Sequence, residues 1–388
     1  MNLTPPLPGN SSGNSSTILL ETVLQLLSER LKKLSHSGFF AEDLRRYVLS
    51  LCASVSTLEA KLAQAQADEI PFIAEIVSSI WKATQFLTGT TSNRVPYEIT
   101  YLLREVLLDW KLGDCIVTTS LNQSHEFNCE SSLVAPEVLL EEIGLTTLAE
   151  SGHLVQMGVP EIFQHMPLLC SPLYHEVGHF IEEHERLIKR LVVSKTKRVA
   201  LVQAMPGLAT FPTESHERVA RKWAIEHFCD LLAASYVGEC VSDYIIQWDH
   251  TITPCESHPP AASRAEVTRD FLEGRPNALV DLLKGAVADA GQDLELKQRF
   301  EEPDVAAAFS DVRPVQIASL PQLHGLLPAA DKFIKALSTS PAEFENTNIG
   351  RVARQRRSHL INDLIEKSIR SFMIQKAWDD SLDEKAAA

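Results

Sequence analysis

At His175-Glu176-Val177-Gly178-His179 the chain carries two imidazoles and a carboxylate at the spacing of a zinc site with a built-in base. In a helix, positions i and i+4 stand on one face, one turn apart. His175 and His179 can therefore close on one metal ion, with Glu176 to the side, where a water molecule would be activated. A catalytic zinc site takes three protein ligands and leaves a fourth position open. The third ligand must come from elsewhere in the chain.

A second predicted helix, Glu214 to Tyr236, supplies it. Glu226 and Asp230 lie four residues apart there and share a face, while Trp223, Ala224, Ile225, Phe228, Leu231, Leu232 and Ala233 around them are almost all apolar. A solvated helix face is the plain reading of such a pair, but acids within so apolar a segment are costly to bury without a cation. The pattern predicts Glu226 as third ligand and Asp230 as acceptor for the far ring nitrogen of a ligand histidine. Cys229 and His227 are alternative ligands on the same helix. Cys170, Cys229 or His227 would complete a structural site, whose fourth position is filled by protein. A third histidine ten residues after His175 is absent, because Glu185 stands there and His184 is one position off.

Ser257-His258-Pro259-Pro260, taken alone, is a turn between helices. Taken in order, H-E-V-G-H, then E-H-F-C-D, then S-H-P-P with Arg264 six residues after His258 resemble the soluble core of the gluzincin metallopeptidases that process CAAX proteins and heat-damaged membrane proteins. That family shows H-E-x-G-H, a downstream E-x-x-A-D, and a T/S-H-P with the same His-to-Arg spacing. The resemblance covers residues 168 to 270, about a quarter of the chain. It implies a zincin-like core in which His175, His179 and Glu226 hold Zn2+ and Glu176 is the catalytic base. Asp230 would stand behind a ligand histidine, and His258 and Arg264 would steady the oxyanion formed when water attacks a carbonyl. Cys229 stands where the family usually has Ala, and the family's transmembrane helices have no counterpart here.

The elements that must position these groups are mostly helical. Residues 1–16, rich in Asn, Ser, Gly and Pro, are expected to form a disordered tail. Apolar residues recur at helical spacing in Ile18 to Leu34, Leu44 to Ala63 and Ile70 to Leu87, and a further helix follows Pro96. After Gly113 the pattern changes: Cys115 to Thr119 is short and β-branched, Phe127 to Cys129 is placed to pair with it across a turn at Asn122 to Ser124, and Leu154 to Val159 is a third strand. Ser171 is expected to cap a helix with Pro172 at its first position, running through both histidines to Leu191. From Asn277 the pattern is helical again, ending in the long run Val352 to Trp378. The expectation is a mainly α (α+β) chain with a small β-sheet: a helical region over 17–112, a zinc core over 113–275, and a helical region over 276–388.

Composition bounds the function. A formal net charge of -15 over 388 residues argues against nucleic acid as the main partner. The basic clusters Arg186 to Arg198 and Arg351 to Arg357 fit solvated helix faces. No apolar run approaches the length of an integral membrane segment. Seven cysteines without framework spacing suggest a reducing, cytoplasmic setting. The expected activity is zinc-dependent hydrolysis of a protein or peptide substrate. The alternative is a helical interaction module whose zinc site is structural or silent, and an enzyme acting on a non-peptide amide would use the same site.

Overall fold

The computed structural model describes residues 12–39, 41–91, 96–123, 126–132, 140, 144–145, 153–248, 255–291 and 293–387. It is mostly helical with one small three-stranded sheet, in line with the mainly α expectation. Among the described residues no helix is long and apolar enough to cross a membrane.

The chain divides into two compact units. The first, residues 1–97, 113–120 and 130–156, is built on helices α1 (Ser12–Leu34), α2 (Glu42–Leu62) and α3 (Ile70–Thr90). Leu24, Leu27 and Leu31 of α1, Leu44, Leu51, Val55 and Leu58 of α2, and Ile76, Ile80 and Leu87 of α3 form one buried core, joined by Ile116 and Leu154. These are the apolar stripes that the helical spacing predicted, each facing its two neighbours. Helix α1 begins at Ser12, within the stretch expected to be a tail; residues 1–11 of that stretch lie outside the described residues.

The sheet has strands β1 (Cys115–Asn122), β2 (Asn128–Ser132) and β3 (His153–Pro160) in the order β1-β3-β2. The expected pairing of β1 with β2 is not formed, because β3 lies between them. Burial explains the order. Six of the eight residues of β3 are buried, as a central strand requires, whereas Asn128-Cys129-Glu130-Ser131-Ser132 is polar and suits an edge.

The second unit comprises residues 98–112, 121–129 and 157–388. Its centre is the helix His216–Val237, here termed the carboxylate helix, which packs on the histidine helix (Pro172–Glu185) and on helices Lys195–Ala204, Cys240–Trp248, Ala261–Leu272 and Leu320–Thr339. Sixteen of its 22 residues are buried, so it has no solvated face for Glu226 and Asp230 to occupy. Residues 98–112 and 276–388 group with this unit. Helix Leu320–Thr339 is part of the packing around the site: buried His324 meets Tyr174 Oη at 3.1 Å.

Candidate metal centre

The histidine helix begins directly from a 3-10 turn, Pro167–Cys170. Pro172 sits at its first position as expected, but Ser171 makes no side-chain capping bond, because its backbone already has helical angles. The helix stops at Glu185 instead of running on to Leu191. Arg186 adopts the left-handed conformation at φ 54°, and a second helix, Leu187–Val193, starts beyond it.

What brings the two helices together is Gly178. A Cβ built there would lie 2.8 Å from the Cα of Cys229 and 3.1 Å from its Sγ. The backbones meet at this point because one residue has no side chain and the other has a small one. Gly178 and Cys229 each lie within a four-residue pair, His175/His179 on one helix and Glu226/Asp230 on the other. Close approach at the middle therefore sets the pairs face to face.

The facing groups converge. His175 Nε2 and His179 Nε2 are 3.1 Å apart. Glu226 Oε2 lies 3.4 Å from His175 Nε2, and Glu226 Oε1 lies 3.7 Å from His179 Nε2. Behind them, His175 Nδ1 meets Asp230 Oδ1 at 2.9 Å, and Arg264 clamps Asp230 through Nε and Nη2, both at 2.7 Å. His258 Nε2 stands 3.8 Å from Glu226 Oε1 on the exposed side. Glu176 lines the same 450 Å³ cavity as His175, His179, Glu226, His258 and Arg264. All seven residues singled out in the sequence thus occupy one site within the second unit.

Electrostatics follow from this burial. Desolvation drives His175 down, but the hydrogen bond to Asp230 and contact with Glu226 outweigh it and lift the pKa to about 9. Burial and the neighbouring His175 charge push His179 down to about 4. One imidazolium and one imidazole are therefore the stable pair: His175 donates through Nδ1–H to Asp230 and through Nε2–H to His179. Burial would raise Glu226, but the close approach of the His175 N–H, with the positive charge of that ring, brings it below the ordinary carboxylate range. Asp230 is held low by Arg264 and His175 against the same penalty. Glu176 moves the other way, raised by desolvation.

These groups fit a small cation. Glu226 Oε2 is buried and, among the described residues, has no well-formed hydrogen bond, its nearest cationic groups being His175 Nε2 at 3.4 Å and Arg264 Nη2 at 3.7 Å. An ionised oxygen left so in a protein interior calls for a metal or a proton. Ligand atoms bound tetrahedrally at 2.0–2.1 Å stand roughly 3.3 Å apart; the two imidazole nitrogens are 3.1 Å apart, with one Glu226 oxygen 3.4 Å from His175 Nε2 and the other 3.7 Å from His179 Nε2. Cys229 Sγ also lies within 4.8 Å of donor atoms on both histidines. Burial and the surrounding carboxylates push that thiol well up, so it is the neutral, poorer donor while Glu226 is already charged.

The other candidates fall away from the metal position. His227 is fully buried, with neither ring nitrogen hydrogen-bonded, and it is not among the converging donors. Cys170 Sγ turns to Phe163 O at 3.6 Å. Two further histidines near the motif in sequence are engaged elsewhere: His165 pairs with Glu366, and His216 bonds Phe211 O. Several supports had no visible signature in the sequence. Trp223 Nε1 donates to Cys255 O at 2.9 Å and Arg218 pairs with Glu256, which together pin the segment leading into His258. Phe127, remote from the motifs in sequence, and Tyr244 and Ile245, which lie between two of them, line the cavity.

No protein-family model, curated protein or solved structure matches this chain.

Proposed function

We propose that the chain is a zinc-dependent metallopeptidase of the gluzincin type. His175, His179 and Glu226 would hold the metal, and Glu176 would act as general base. The observation that carries this reading is the buried, ionised Glu226, one carboxylate oxygen 3.4 Å from His175 Nε2 and the other 3.7 Å from His179 Nε2, beside a second carboxylate in an open cavity. When bound, zinc supplies a Lewis acid for the scissile carbonyl and for the attacking water.

The protein groups divide the remaining work. Asp230 keeps the proton of His175 on Nδ1, which leaves Nε2 as the ligating lone pair. Arg264 has Nε and Nη2 committed to Asp230, so its first task is to hold that carboxylate, and the larger share of oxyanion stabilisation passes to His258 at the cavity mouth. Glu176, with a pKa raised by burial, takes a proton from the attacking water on a carboxylate oxygen and delivers it to the leaving amine.

The cluster of His175, His179 and Cys229 favours a second reading, a structural site whose fourth position is filled by the thiolate, in a helical interaction module. Glu176→Gln separates the two. Under the peptidase reading the variant keeps one equivalent of zinc and loses at least about a thousand-fold in turnover of a peptide library. Undiminished cleavage would overturn the assignment of Glu176, and a wild-type protein that binds zinc but cleaves nothing would favour the structural site.

A further inference from the structure

The cavity beside the candidate metal position is lined by His175, His179, Glu176, Glu226 and Arg264, and also by an apolar wall of Phe127, Tyr244, Ile245 and Val241 next to Glu126. Phe127 is held in place rather than loosely exposed: its ring stacks on Phe163 at 5.9 Å with planes 11° apart, and meets Tyr244 edge-on at 5.9 Å. Tyr244 and Ile245 sit side by side on helix Cys240–Trp248, both half-buried, so each keeps part of its surface toward the cavity. All of these residues belong to the second unit.

We infer that this wall receives a large apolar or aromatic side chain of the residue flanking the scissile bond, so that the substrate class is a peptide with such a residue at the cut. The inference rests on the peptidase reading of the same site. Three observations support it. The cavity of 450 Å³ lies within the range of pockets that enclose a small ligand. The aromatic faces offer edge and face contacts that a methyl group cannot use. The charged lining runs to three carboxylates, Glu126, Glu176 and Glu226, against Arg264 and the histidines, in a chain of net charge -15, which disfavours an acidic side chain. Burying a large apolar side chain is worth about ten- to a hundred-fold in affinity over one left in water.

The test measures binding apart from cleavage. Zinc-loaded full-length Glu176→Gln protein is titrated calorimetrically with capped tetrapeptides Ac-Ala-Gly-X-Ala-NH2, where X is Phe, Leu, Ala or Asp, and wild-type protein is assayed for cleavage of the same four. The expected result is at least ten-fold tighter binding for Phe and Leu than for Ala, with Asp weakest. Phe127→Ala should cut the Phe-to-Ala ratio several-fold at unchanged zinc content. Ile245→Ala serves as a second reporter if Phe127→Ala lowers the melting temperature. Equal affinities for the four peptides, or no binding of any, overturn the inference. Selective binding of the Phe peptide without cleavage by the wild type upholds the pocket and sinks the peptidase reading. Cleavage indifferent to X does the reverse.

Discussion

Gly178 and Cys229 are the point at which the two site helices touch, with 2.8 Å between a Cβ built on the glycine and the Cα of the cysteine. Helix propensity alone favours Gly178→Ala by about 1 kcal/mol. Contact with backbone rather than a flexible side chain means the added methyl cannot be absorbed, and overpacking of this kind costs about 1–3 kcal/mol. We expect a net fall in melting temperature and at least ten-fold weaker zinc binding, since the two ligand pairs are pushed apart. A raised melting temperature would show that the helices do not meet there.

The third ligand is distinguishable by substitution. Glu226→Gln should lose about a hundred-fold or more in zinc affinity, since it removes the charged ligand, while Arg264 and His175 keep Asp230 as their carboxylate partner. Cys229→Ala keeps the close helix contact and should change zinc affinity no more than about three-fold. Competition titrations with a chromophoric chelator measure both. The opposite ranking would move the third ligand to Cys229.

His324 makes stability depend on pH. Burial lowers its pKa from the ordinary 6.5 to about 3, and it accepts a hydrogen bond from Tyr174 while neutral. The unfolded chain takes up this proton as pH falls through 6.5, and the folded chain does not until about 3. Stability is therefore complete above 6.5 and is lost progressively between 6.5 and 3, by about 2 kcal/mol at pH 5. Urea melts at pH 7 and pH 5 should show this loss in the wild type and a smaller one in His324→Phe, which keeps the aromatic packing against Tyr174 and Tyr236. Equal slopes for the two proteins would contradict the assignment.

Truncation before Asn277 should unfold the site rather than release it. Leu323, Leu326 and Leu327 of helix Leu320–Thr339 are fully buried, and this helix packs on the carboxylate helix. Removing them strips several large side chains of cover, each worth about 2–5 kcal/mol. Circular dichroism of the truncated chain should show loss of the cooperative melt; a truncated chain that melts cooperatively and gains peptidase activity would instead establish an inhibitory C-terminal region.

The amino-acid order alone determined which of these groups share a face, because i and i+4 on a helix fix the relation of His175 to His179 and of Glu226 to Asp230 wherever the helices lie. Apolar periodicity likewise fixed α1, α2 and α3 to within a few residues at most of their ends. Two acids within an otherwise apolar helix also signalled burial, since hydrocarbon neighbours make a solvated face costly.

Only the tertiary structure decided how the pairs meet and what surrounds them. The Gly178–Cys229 contact, the commitment of Arg264 to Asp230, and the aromatic wall of Phe127 and Tyr244 join residues 34 to 117 positions apart, and no local pattern encodes such distances. The same holds for β3 entering between β1 and β2, and for His324 reaching Tyr174 from 150 residues away. Local spacing sets which groups share a face. The packing of the whole unit sets which faces oppose each other, because close packing is a property of all the side chains at once.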